Sequence, residues 1–150
     1  MKAIASELNK IIDDHLASLR SLSQEEFHFK PSPTKWSKKE ILGHLVDSAQ
    51  SNIRRFIVGQ YDERPTIVYN QDQWVAITNY QEYPLTDLID LWYLLNKHIC
   101  HVLTFMPVEM SQRQVQTQDH HDLRWLAEDY IKHLRHHLHQ VLDLEPVAYP

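Results

Sequence analysis

The chain has 150 residues, a length that suits one domain, residues 1–150, built on a single sizeable core. A formal net charge of −5 offers no basic field for nucleic acid, and one cysteine, Cys100, excludes a disulfide framework or a thiolate metal cluster within the chain. Only 2 glycines in 150 residues disfavour a turn-rich sandwich or barrel, so the composition leans helical. Glu7, Asp13 and Asp14 stand where a signal peptide is apolar. No apolar run approaches the ~20 residues that span a bilayer. The expectation is a cytoplasmic protein with no membrane segment.

The first helical pattern covers Ala3 to Leu22, with Ile4, Leu8, Ile11, Ile12, Leu16 and Leu19 at three- and four-residue steps. Ser23 and Glu26 have capping-box spacing and open a short turn. Pro31 and Pro33 then end regular structure. The second helix has the clearest start. Ser37 and Glu40 form a capping box, and Trp36 and Ile41 hold the positions of a hydrophobic staple. It is expected to run to about Gly59.

Periodicity weakens from Tyr61 to Pro84, a long connection for a bundle. It can cross the bundle end and let helices two and three run parallel. A short helix is expected from Gln71 to Thr78. The third helix is expected from Thr86, as its cap, to Met106, where Pro107 stops it. Val108 to His120 reads as a polar connection. The fourth helix begins between Asp119 and Asp122 and runs to about Leu144. Four helices around one core give an all-α four-helix bundle with a long crossover between helices two and three.

The fourth helix carries the compositional bias of the chain: His133, His136, His137 and His139 lie within seven residues. Its apolar stripe centres on Leu123, Tyr130, Leu134 and Val141. At about 100° per residue, His137 lies roughly 60° from that centre and His133 roughly 100°, on the same flank. Their four-residue spacing stacks two imidazoles on one face, a common start for a divalent-metal site, though boundary histidines with ordinary hydrogen bonds fit as well. His136 and His139 project toward solvent. For a third ligand the candidates are His44 on helix two and His98 or His101 on helix three. The wheel sets His44 away from the apolar face, at the head of a polar stripe with Ser48, Asn52 and Arg55. That stripe reads as a solvated face or as the lining of a polar pocket. His98 flanks its helix's apolar face, as good a candidate on position as His44, and His101 projects outward.

The run from Lys35 to Ala49, followed by Asn52 and Arg55-Phe56, resembles the second-helix signature of the DinB-like superfamily, which includes the YfiT-type metal-dependent hydrolases. The run His133 to Gln140 resembles that family's closing motif, two histidines four apart followed by a glutamine. The resemblance covers nearly the whole chain. It implies a four-helix bundle, often a homodimer, with one divalent metal held by His44, His133 and His137. It also implies that the stripe of helix two faces a cavity. The connection from Tyr69 to Tyr83 resembles a branch of the family in which Asn70 to Val75 cover or edge the pocket, though an aromatic-anchored loop packed on the bundle end fits as well.

Three neutral imidazoles leave a dication's charge uncompensated, and imidazole accepts zinc, nickel, iron or manganese. Two chemistries follow for a small-molecule substrate: hydrolysis of a polarised carbonyl or amide, or activation of a low-molecular-weight thiol for transfer. A non-catalytic metal-binding or stress-related bundle is the alternative. Ser48, Asn52, Arg55 and Trp74 are the substrate-binding candidates, with Arg55 suited to a carboxylate. Asp47, Asp129 and Glu40 are candidates to orient the ligand imidazoles, though surface carboxylates are common on helices.

Overall fold

A computed structural model describes residues 1–149. In chain order its elements are α1 (Lys2–Ser21), α2 (Gln24–His28), α3 (Lys38–Val58), α4 (Gln71–Thr78), α5 (Leu85–Phe105), β1 (Gln114–Gln116), β2 (His120–Asp122) and α6 (Leu123–Val141). The helix starts follow their capping chemistry. Ser37 Oγ accepts from the Glu40 N–H at 3.1 Å, and the Glu40 carboxylate accepts from the Ser37 N–H at 2.7 Å. Asp122 caps α6 by accepting from the Trp125 N–H at 2.7 Å. Ser23 and Glu26 form the second capping box, at α2.

One cap differs from expectation. Pro84, not Thr86, is the N-cap of α5, and the helix starts at Leu85 with no side-chain cap. Thr86 lies inside the first turn. The fixed φ of proline already directs the chain into the helix, so no hydroxyl is needed. Helix α6 also stops earlier than the apolar pattern suggests. Leu142 closes it and Asp143 turns into the left-handed region at φ 53°.

Side-chain pairs fix the helix directions. Arg20 pairs with Asp90 and Asp13 with Lys97, so α1 and α5 are antiparallel. Glu7 pairs with Arg135, and the ring of His15 lies 6.4 Å from that of His139, so α1 and α6 are parallel. Lys38 at the start of α3 pairs with Asp143 just past α6. At the other end, Gly59 sits so close to Leu123 that a Cβ would meet its Cδ2 at 2.8 Å. Helices α3 and α6 are therefore antiparallel, and α3 and α5 run parallel, as the long crossover allows. The crossover returns along α3: Gln81 donates to Ser37 Oγ at 2.7 Å, near the helix start.

Trp92, Phe56, Phe27 and Leu88 are fully buried in the shared core. Each such side chain contributes roughly 1.5–3 kcal/mol by leaving water. The segment read as a polar connection contains the β1–β2 hairpin, with Val115 paired to His121. Strands of three residues are too short to show alternation; only buried Val115 ties them to the core. Among the described residues no helix is long and apolar enough to cross a membrane.

Candidate metal centre

The antiparallel packing of α3 against α6 sets the early turns of one beside the late turns of the other. That brings His44 to His133 and His137. One ring nitrogen from each lies within 4.8 Å of the other two. Ring centroids are 4.9 Å apart for His44–His133 and His44–His137, and 4.5 Å for His133–His137. The Nε2 atoms of His44 and His133 are 2.9 Å apart.

His44 is 1% exposed, so the solvated-face reading of its stripe is wrong. Ser48 and Asn52 are buried with it. The physical reason is the central place of α3, which packs on α5, α6 and α4. Its polar stripe is turned toward α6 and the cavity rather than toward bulk solvent. His98 and His101 are both exposed on α5 and join no such group.

Burial governs the charge of the three rings. It pulls the His44 pKa from 6.5 to about 3, with neighbouring His137 adding to the effect. Burial also lowers His133 strongly and His137 in the same direction. At neutral pH these rings are neutral, the form that donates a lone pair to a cation. The Nδ1 atoms of His44 and His133 are buried without a hydrogen-bond partner among the described residues.

The third ring is held differently. His137 Nδ1–H donates to Gln140 Oε1 at 2.8 Å, which leaves its Nε2 free. Gln140 Nε2 donates in turn to His136 Nε2 at 2.9 Å. His136 then carries its proton on Nδ1 and donates to the Val147 carbonyl at 2.6 Å. His136 and His139 are therefore half-buried rather than solvated. Residues 145–147 fold back over α6 and accept from both rings.

The carboxylates expected to orient imidazoles have other partners. Tyr80 donates to Asp47 at 2.5 Å, and the second Asp47 oxygen is buried without a partner among the described residues. Burial raises the Asp47 pKa to about 6, against the pull of Tyr80. Asp129 accepts from the Tyr149 hydroxyl at 2.9 Å. Glu40 belongs to the capping box and to an ion pair with Lys30.

His133 and His137 open onto a cavity of about 930 Å³. Ser48, Asn52 and Arg55 line it from α3, Asn70, Gln71 and Asp72 from the crossover, and Asp129 and Tyr130 from α6. Arg55 donates from Nε and Nη2 to the Ile67 carbonyl, at 3.2 and 3.1 Å, and no carboxylate pairs with it among the described residues. Burial lowers its pKa. Trp74 does not line the cavity; its ring packs 5.1 Å from that of Tyr69, which does. Sequence reasoning missed Tyr149, Trp125 and the hairpin residues Thr117 to Asp119, all in the lining. Trp125 stands on α6 off its apolar stripe and the others belong to no periodic pattern, so no signal marks them.

The fold has a solved counterpart. It matches YfiT from Bacillus subtilis, described as a probable metal-dependent hydrolase with an unusual four-helix bundle topology, at a TM-score of 0.79 and 16% identity. The match covers 93% of this chain and 84% of that one, and at this identity it speaks for the fold. No curated protein matches the chain. The model of the DinB superfamily matches residues 7–141, nearly the full length, and the chain belongs to that superfamily.

Proposed function

We propose that the protein is a divalent-metal-dependent hydrolase of small carboxylate-bearing molecules, with His44, His133 and His137 as the metal ligands. The observation that carries this is the convergence of three neutral imidazoles, from two antiparallel helices, within 4.8 Å of one another, with His133 and His137 at the wall of the cavity and His44 behind them. The donor set fits a cation. Its rings are held neutral by burial, and two have Nδ1 atoms with no other partner. His44 and His133 direct Nε2 at each other, and Gln140 leaves Nε2 of His137 free. A bound divalent ion supplies Lewis-acid polarisation of a carbonyl and acidification of water at neutral pH.

The chain's own residues bind and orient. Arg55 has two of its donors fixed on Ile67, which locks the guanidinium plane while leaving N–H groups for a carboxylate. Asn52 supports it, holding its amide on the Ser48 carbonyl at 2.9 Å. Ser48 and Tyr69 add hydroxyls to the same wall. Cys100 is no nucleophile here. It is buried on α5 outside the cavity lining, and burial pushes its thiol up to about 11.

The test is metal content after purification without a histidine tag. About one equivalent is expected, lost alike in His44→Ala, His133→Ala and His137→Ala; retention in His44→Ala overturns the assignment. Activity is then screened on N-acyl amino acids and carboxylated esters, with Arg55→Ala expected to raise KM more than it lowers kcat. A shift of the cobalt spectrum on adding bacillithiol or glutathione, without any hydrolysis, would move the reading to thiol transfer.

A further inference from the structure

The polar residues on α3 account for one wall of the cavity, and the proposed ligands for another. A third wall comes from a segment that carries no part of the family motifs. Past α6 the chain turns at Asp143 and doubles back along the helix. Three bonds hold it there. Leu144 N–H donates to the His139 carbonyl at 3.0 Å, the His139 ring to the Glu145 carbonyl, and the His136 ring to the Val147 carbonyl at 2.6 Å. The result is Tyr149 placed in the cavity. Its ring stands edge-on to His133, with centroids 5.2 Å apart, and lies 6.0 Å from His136. Its hydroxyl reaches Asp129 Oδ2 at 2.9 Å.

The geometry is that of a latched aromatic side chain. The ring stands against one of the three histidines. Its one polar atom is bonded to a carboxylate on α6, one turn before that histidine. A hydrogen bond to a charged acceptor is stronger than a neutral one, so the latch favours the closed position without making it permanent. Two of the anchoring bonds are donated by the His136 and His139 rings to carbonyls of the segment, and the third runs from the segment to the His139 carbonyl of α6, so α6 itself sets the path of the segment.

We propose that Tyr149 gates access to the three-histidine site, with Asp129 as its latch. The gate deepens the metal-site reading by naming what controls entry on the His133 side. Its test needs no metal, so the two fail separately: absence of bound metal in the wild-type protein counts against the ligand assignment and leaves the gate measurable.

The experiment is diethyl pyrocarbonate modification of the metal-free protein, read histidine by histidine by mass spectrometry. His98 and His101, exposed on α5, serve as internal controls. Tyr149→Phe removes the latch and keeps the ring; loss of one charge-assisted bond should speed modification of His133 roughly tenfold. Asp129→Ala removes the same bond from the other side and should match it. The double variant should then gain nothing further. Tyr149→Ala should react at least as fast as either. Unchanged His133 rates in Tyr149→Phe and Tyr149→Ala overturn the proposal. Equal acceleration at His98 and His101 also overturns it, because that reports general loosening. If a Tyr149 variant fails to fold, as judged by its melting curve, Asp129→Ala tests the same latch from α6.

Discussion

Gly43 is the position where packing around the site is most constrained. A Cβ built there would meet Tyr80 Cδ2 at 2.2 Å and Cγ at 2.3 Å, inside any real contact distance. Tyr80 cannot give way at little cost. It is 2% exposed, and among the described residues its hydroxyl is the one side-chain hydrogen-bond partner of the buried Asp47 carboxyl. Gly43→Ala should therefore displace the ring. Overpacking of this kind costs about 1–3 kcal/mol, and release of the buried bond costs about 1–3 kcal/mol more. The helix propensity of alanine returns about 1 kcal/mol. The expected net is a loss of about 3 kcal/mol, at a position where an open helix site would gain from the same change.

Urea unfolding of the metal-free protein measures this, and a double-mutant cycle isolates the cause. In a Tyr80→Ala background the ring is gone and Gly43→Ala should stabilise by up to about 1 kcal/mol. The sign reversal is the diagnostic outcome. Equal losses from Gly43→Ala in both backgrounds would refute the reasoning, because the penalty would then come from something other than Tyr80.

Three further outcomes follow from the site. Folded His44 titrates near 3 and its unfolded counterpart near 6.5, so the unfolded chain takes the proton first. The His44 contribution to the stability of the metal-free protein should be complete above 6.5 and fall as pH drops toward 3; in an Asp47→Asn background, which lacks the opposing carboxyl, a urea midpoint that stays flat from pH 7 to 4 contradicts this. Asp47 has the opposite sign: its pKa is raised from 3.8 to about 6, so its contribution is present at low pH and lost as pH rises through about 6. Asp47→Asn should remove that loss, seen as a steeper rise in stability from pH 5 to 7.5 than in the wild type, because the histidine contribution then acts unopposed. Gln140→Leu frees the His137 ring from its hydrogen bond and should weaken metal binding about 10- to 100-fold in competition with a chromophoric chelator. Unchanged affinity would mean that the Gln140 contact does not orient the ligand.

The sequence made legible whatever rests on local chemistry. Ser37 with Glu40 and Ser23 with Glu26 are caps visible as spacing, because the bonds they make are three residues apart. The helix spans follow from apolar period, and α4 appears at the expected Gln71–Thr78. Thr86 misled because a proline can start a helix without a side-chain bond. His44 shows the limit of a wheel. Periodicity ranks faces by apolarity, and a polar face turned into a cavity scores as a solvated one. The family motif carried that residue to the site, where helical position alone did not. Tyr149 lies beyond Pro146 in a stretch with no period, and only the fold of the segment shows where it goes.

The same inward polar face explains how the site balances its charge. The three imidazoles bring none, since burial keeps them neutral. Asp47 is pushed toward its protonated form and bonded to Tyr80. Asp129 is taken by Tyr149, and Arg55 rests on a backbone carbonyl. A dication on the histidines would share the cavity wall with the Arg55 guanidinium, and the lining carboxylates besides Asp129 are Asp72 and Asp119, on the crossover and the hairpin loop. Uncompensated cations in a region shielded from water are costly, and an anionic ligand relieves both at once. On the proposed reading, a substrate carboxylate brings negative charge to that wall. Buried Ser48 and Asn52 and half-buried Arg55 are then the side chains placed to meet it.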